Sequence, residues 1–198
     1  MWLLVSITWH CFTSLRERYK EAEPLLLEAL EMSKRLLGQQ HPDVVISLNS
    51  LAALYFSQGR YSEAEPFYLE ALKMSKRLLG QQHPGVANSL NGLALLYSSQ
   101  GRYSEAEPFY LEALEMRKHL LGKEHPDVAN SLNNLAALYQ SQGRYSEAEP
   151  FYLEALEIVE QKLGINHPNT LLVRKNLDNL DKQKSVGEHG SEKVFTEI

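Results

Sequence analysis

The chain of 198 residues has a single cysteine, Cys11, so no disulfide can form within it. That fits a reducing compartment. It also has no long apolar run. The longest, in MWLLVSITW, falls well short of the roughly 20 residues that cross a bilayer, and it lacks the basic start and small-residue cleavage site of a secretory signal. A basic excess is missing too. The net charge is −5, whereas a nucleic-acid partner asks for a positive stripe on one face. No G-x-x-x-x-G-K-[ST], H-E-x-x-H or G-x-S-x-G is present. Cys11 follows His10, but adjacent residues on a helix point apart and make no nucleophile pair. These absences predict a soluble cytoplasmic protein with no catalytic site, cofactor, metal, nucleic acid or membrane partner.

What the chain does have is repetition. GRYSEAEPFYLEAL begins at Gly59, Gly101 and Gly143, and a worn copy, ERYKEAEPLLLEAL, begins at Glu17. Residues 83–124 and 125–166 are identical at 31 of 42 positions. A fixed period of this length is the mark of a stacked-repeat architecture.

Each copy reads as two helices. The first follows His-Pro, where proline suits the first helical position because its missing N–H is not needed. From His125 onward, Val128, Leu132, Leu135, Ala136, Leu138 and Tyr139 share one arc at the helical period. The sequence SQG then stops the helix, with Gly143 as a left-handed cap. The second helix opens at SEAE, where Ser146 and Glu149 have capping-box spacing. Phe151, Leu153, Ala155 and Leu156 form its apolar side. Pro150 lies past the first turn and predicts a lost hydrogen bond or a slight bend. Arg117 and Lys118 fall near a helix end that favours cations. One such pair cannot cover both of its apolar sides, whereas stacked neighbours can.

Small Ala64, Ala106 and Ala148, preceded by Leu51/Tyr55, Leu93/Tyr97 and Leu135/Tyr139, resemble the tetratricopeptide (TPR) consensus. The 42-residue period with HP-x-V-A-x-x-L-N-x-L-A-x-L-Y…G-x-Y-x-E-A-E resembles the kinesin light chain variety. The resemblance, over residues 15–180, implies an all-α, right-handed α-solenoid of TPR helical hairpins with a C-terminal capping helix. The expected divisions are a degraded first repeat over 1–40, repeats over 41–82, 83–124 and 125–166, a capping helix over 167–182, and a disordered tail over 183–198. The cap carries Val173, Leu177 and Leu180 on one side and Arg174, Asp178 and Asp181 on the other, as a terminal element should. At the start, the 42-residue register puts Trp2, Val5, Trp9 and Phe12 inward. Ser6, His10 and Thr13 then stand where other copies hold Leu, Ala and Tyr, so a poorly packed helix is expected.

His41, His83, His125 and His167 suggest a metal, but equivalent corners of stacked repeats lie on the order of 10 Å apart, too far to share a zinc. The glutamates of SEAEP sit at helix starts, where negative charge is favourable. The informative feature is the outward arc of the first helices. It holds Ile46, Asn49, Ser50, Ala53 and Phe56 in one copy, Asn88, Asn91, Gly92 and Leu95 in the next, and Asn130, Asn133, Asn134 and Gln140 in the third. None is charged, although Lys and Glu make better idle helix surfaces than Asn or Gly, by several tenths to about 1 kcal/mol each. In TPR arrays such helices line the concave side. An Asn49–Asn91–Asn133 ladder would then offer donors and acceptors to the backbone of an extended peptide. Ile46, Phe56 and Leu95 would add apolar anchors. The same amides could instead pack between adjacent first helices.

The family resemblance implies short cargo peptides with an aromatic residue and acidic neighbours. This arc offers no Lys or Arg before Lys175, so a peptide or protein segment of low net charge is expected. The alternative partner is a second copy or another domain, met through the N-terminal helix.

Overall fold

In the computed structural model the backbone is described for residues 2–192 and the side chains for residues 19–185. Among the described residues there are eight helices and no strand. They are α1 (Trp2–Leu37), α2 (Pro42–Ser57), α3 (Tyr61–Leu79), α4 (Pro84–Ser99), α5 (Tyr103–Leu121), α6 (Pro126–Ser141), α7 (Tyr145–Leu163) and α8 (Pro168–Glu192). Two compact units divide them, Met1–Gln100 with α1–α4 and Gly101–Ile198 with α5–α8.

The first helices α2, α4 and α6 start alike. Proline occupies their first turn, and the preceding histidine, in extended conformation, is the N-cap. Its imidazole Nδ1 accepts a backbone N–H, from Asp43 to His41 (3.2 Å), Gly85 to His83 (3.0 Å) and Asp127 to His125 (3.1 Å). His167 does the same for Asn169 at the start of α8 (3.2 Å). Each histidine thereby satisfies a donor that the helix leaves unpaired, and the role repeats because the corner repeats.

The first helices end with glycine in the left-handed region, Gly59 (φ +73°), Gly101 (+75°) and Gly143 (+73°). Around Gly143, Arg144 N–H donates to the Tyr139 carbonyl (2.9 Å) and Gly143 N–H to that of Gln140 (3.0 Å). This is the paired Schellman closure of a helix end. It turns the chain sharply enough for α6 and α7 to lie side by side.

The second helices begin earlier than the sequence suggests. Their N-caps are Arg60, Arg102 and Arg144, and no side chain caps them. Ser146 therefore lies inside the first turn of α7, and the expected capping box does not form. Glu147 is used instead, gripped by the Arg144 guanidinium through Nε (2.8 Å) and Nη2 (2.6 Å). That grip holds the Glu147 carboxyl below the usual range. The helices run on through Pro66, Pro108 and Pro150. The carbonyls that lose a donor there belong to Ser62, Ser104 and Ser146, all exposed, where water can replace the bond.

In the first unit, α3 lies between α2 and α4. Ala64, Phe67, Ala71, Met74 and Leu78 share the face toward α2, where the Phe67 ring meets Tyr55 at 5.5 Å. Tyr68, Leu72 and Ser75 turn toward α4. Gly92 of α4 lets the Tyr68 ring come close, because a Cβ there would stand 2.4 Å from Tyr68 Cε1. α2 also touches α4, whereas α1 and α3 do not approach each other among the described residues. In the second unit α6 touches α8, while the backbones of α5 and α7 stay apart and are spanned by the Lys118–Glu154 ion pair (3.3 Å). First helices therefore lie on the inner side of the bend within each unit.

Both ends differ from expectation. Residues 1–40 form no helical pair, because α1 is one continuous helix. The 42-residue register supplies the reason. Where Gly59, Gly101 and Gly143 take positive φ, this copy has Glu17, and a side chain in the left-handed region costs about 1–2 kcal/mol. Without a residue that turns the chain, the helix continues. At the other end Val173 and Leu180 are buried and Leu177 half-buried, while Asp178 and Asp181 are exposed. The helix runs past 182 to Glu192, so residues 183–192 of the expected disordered tail are helical. Adding a turn to an existing helix needs no new nucleus. Residues 193–198 lie outside the described residues.

Candidate functional site

The inner first helices are almost without charge. α4 carries none, and α2 and α6 carry one each, Asp43 and Asp127, both in the first turn. In the first unit this surface presents Ile46 (63% exposed) and Leu95 (37%), with Asn88 exposed and Phe56 half-buried. The Phe56 ring leans on Tyr61 at 5.5 Å, so it is held in place as a ready apolar contact.

The asparagines divide into two kinds. Asn49 is half-buried and its Nδ2 donates to Ser89 Oγ on α4 (3.0 Å), while its Oδ1 is buried without a partner among the described residues. In the second unit Asn133 Oδ1 accepts from Asn176 Nδ2 on α8 (2.9 Å). These two ladder positions therefore join adjacent first helices. Asn91 and Asn134 are half-buried and also engaged, and Asn88, though exposed, has an interaction of its own. Asn130 is exposed. Gln140 accepts from Tyr152 Oη (2.8 Å) and donates to Gln183 (2.8 Å). The accessible part of the surface is thus Ile46, Phe56, Asn88 and Leu95 in the first unit and Asn130 in the second, each with deeper amides beneath it.

Sequence reasoning overlooked what the recurrent GRY arginine does. Arg144 stacks its Cζ 4.1 Å from the centre of the Tyr139 ring and donates to Glu107 on α5 (3.0 Å), which also accepts from Tyr139 Oη (2.9 Å). Arg60, Tyr55 and Glu23 repeat this in the first unit, with Arg60 4.3 Å over the ring and 2.7 Å from Glu23. Burial, followed by the neighbouring glutamate, raises the Tyr55 and Tyr139 hydroxyl pKa values. The signal was in the sequence, since Glu, Tyr and Arg recur together in register. At the cap, Asp181 replaces the tyrosine and Lys184 takes over Glu149 (2.6 Å).

Arg117 is another exception. Ser75 and Val159 hold its register position in neighbouring copies and are buried. Arg117 reaches Ser131 Oγ at 2.6 Å, and burial lowers its pKa. It braces the α5–α6 corner rather than its own helix end. Beside it, a 540 Å³ depression opens between Leu121, Glu124, His125 and Lys162, with Lys162 tied to Glu124 (2.8 Å). Among the described residues no cluster of His, Cys, Asp or Glu could hold a metal, and no helix is long and apolar enough to cross a membrane.

Helical pairs of 42 residues, with small alanines at the crossing and a tyrosine before the turn, define the class as an all-α repeat protein of the tetratricopeptide kind. A tetratricopeptide repeat family model matches residues 12–77, 49–119, 105–161 and 127–177, and the chain belongs to that family. The crystal structure of BtubC (BKLC) from P. vanneervenii is 32% identical with a TM-score of 0.75, over 87% of this chain and 68% of that one. A putative kinesin light chain with nearly identical TPR-like repeats from Podosopora anserina is 24% identical, with a TM-score of 0.71 over 91% and 85%. The type III secretion translocator chaperone SycD of Yersinia enterocolitica shares the fold at 19% identity and a TM-score of 0.57, over 76% and 92%. No curated protein matches the chain. The repeats are thus tetratricopeptide repeats, in a fold shared with these structures.

Proposed function

We propose that the chain is a cytoplasmic, non-enzymatic scaffold that holds an extended peptide or partner segment along the inner faces of its first helices. The carrying observation is the near absence of charge from α2, α4 and α6 together with exposed Ile46 and Leu95. A solvated helix face with no partner gains from Lys and Glu, and these helices have neither. A segment of low net charge with one or two apolar anchors fits such a surface. Ile46, Phe56 and Leu95 receive the anchors. In the first unit Asn88 meets the backbone, with Asn49 and Asn91 beneath it; in the second unit Asn130 does so, with Asn133 and Asn134 beneath it.

The test is selection of peptides from a random library on the full chain, followed by calorimetric titration of a selected peptide. Leu95→Glu and Asn88→Ala are expected to weaken it at least tenfold with unchanged thermal unfolding. Affinity unmoved by both variants would remove this face from the function.

A second reading concerns α1. There the face that α3 buries against α2 is left exposed among the described residues, at Leu25, Met32 and Leu36, which favours docking of another helix.

A further inference from the structure

The open face of α1 is defined residue by residue. Ala22, Leu25, Ala29, Met32 and Leu36 stand in the register of Ala64, Phe67, Ala71, Met74 and Leu78, the face that α3 packs on α2. Ala71 is fully buried and Met74 is 7% exposed, but Ala29 is exposed, and Leu25, Met32 and Leu36 are 65%, 43% and 67% exposed. Leu30, 3% exposed, is the residue that docks α1 on α2. At 3.6 residues per turn it points roughly 120° away from the midline of the open face, so α2 does not block the approach to that face.

The five residues follow one another at steps of three, four, three and four, the alternation of a coiled-coil seam. The chain's own first residues cannot cover this seam, because residues 2–37 are one continuous helix. The flank turned away from α2 carries Glu28 and, one heptad on, Arg35, both exposed. The other flank, Leu26 and Ser33, is half-buried and uncharged. Such a face complements itself in one direction only. In an antiparallel pair with its two-fold axis between Leu30 and Glu31, Leu25 of one copy lies against Leu36 of the other, and small Ala29 against long Met32. Glu28 then comes level with Arg35 of the other copy, and the symmetry makes this ion pair twice. A parallel pair sets Glu28 against Ser33 and leaves both charges unmatched.

We infer that α1 is the contact through which two copies of the chain pair, antiparallel and seam to seam over residues 22–36. The same patch serves both copies, so the contact closes as a two-fold dimer and does not propagate. The inference rests on the second reading above, docking of another helix on α1, and names that helix. It is separate from the inner faces of the first helices, and peptide binding there does not depend on it.

Sedimentation equilibrium of the full chain, up to about 100 µM, tests the inference. The wild type is compared with Met32→Glu, Glu28→Arg, Arg35→Glu and the double variant Glu28→Arg/Arg35→Glu. The wild type is expected at twice the chain mass. Met32→Glu buries a charge in the seam and is expected to weaken the dimer at least about tenfold. Each single reversal sets like charges together and should also weaken it, whereas the double reversal restores the pair and should dimerise as the wild type does. Helical circular dichroism should be retained throughout, because all three side chains are exposed. A wild type that stays monomeric overturns the second copy as occupant, while docking of some other helix on α1 survives. A dimer that persists in Met32→Glu shows that the face is not used and overturns both. A dimer lost with Met32→Glu but indifferent to the charge reversals overturns the antiparallel register.

Discussion

Helices α1 and α3 carry the same apolar face on the same register, yet only α3 has it covered. Phe67, Ala71 and Met74 pack against α2, and their counterparts Leu25, Ala29 and Met32 stand in solvent. The difference lies not in the face but in the residue before it, Gly59 in one copy and Glu17 in the other. An apolar pattern sets what a helix will bury, and the turn residue decides whether its neighbour in sequence is the element that buries it.

The largest effect should come from cutting into the two faces separately. Met74→Ala is expected to lower stability in urea by about 2–5 kcal/mol, as core truncations do. Met32→Ala, at a concentration where the chain is monomeric, should change it by less than about 0.5 kcal/mol. Equal losses would mean that α1 is covered within the chain.

Next comes the other side of each helix. α3 turns Tyr68 onto Gly92, whereas α1 has Leu26 at that position and α2 has Ser50 opposite it. Gly92→Ala must push a buried ring aside and should cost about 1–3 kcal/mol. Ser50→Ala should be within about 0.5 kcal/mol of neutral. The thermal midpoints of the two variants would report the contrast.

The turn itself ranks third. At Gly59, φ is +73°, and Gly59→Ala should cost about 1–2 kcal/mol in urea unfolding. Unchanged stability would show that the left-handed residue does not hold the α2–α3 corner.

The smallest effect is alkaline. Each covered second helix buries a tyrosine at the Leu26 position, and burial pushes Tyr152 up to about 12 from 10.0. The native state then keeps its proton where the unfolded chain releases it. Stability is intact below pH 10 and declines between 10 and about 12. Absorbance at 295 nm, followed with circular dichroism, should show these tyrosines ionising only as the helices melt.

Much of this was legible in the sequence. The 42-residue period located the helix pairs, His-Pro and Gly marked their starts and stops, and Arg174, Asp178 and Asp181 announced the cap. What escaped was the use of particular polar side chains. The sequence left open whether the asparagines face a ligand or pack between first helices, and Asn49 and Asn133 do the second, reaching sideways to Ser89 and Asn176. Sequence spacing within one helix does not report that contact. The Arg144–Tyr139–Glu107 relay spans separate helices in the same way. Glu17 was visible, yet it read as one worn letter in a repeat and not as the loss of a turn.

The most direct test is a spin-label distance within α1. Labels at Leu4→Cys and Arg35→Cys, with Cys11→Ser and the labelled chain diluted in unlabelled protein, measure whether residues 2–37 are one helix. The continuous helix predicts about 46 Å, from 1.5 Å per residue. A separation of roughly 20 Å or less, as for two helices packed 8–10 Å apart, would mean that the first repeat folds back as the others do, and that Glu17 changes nothing.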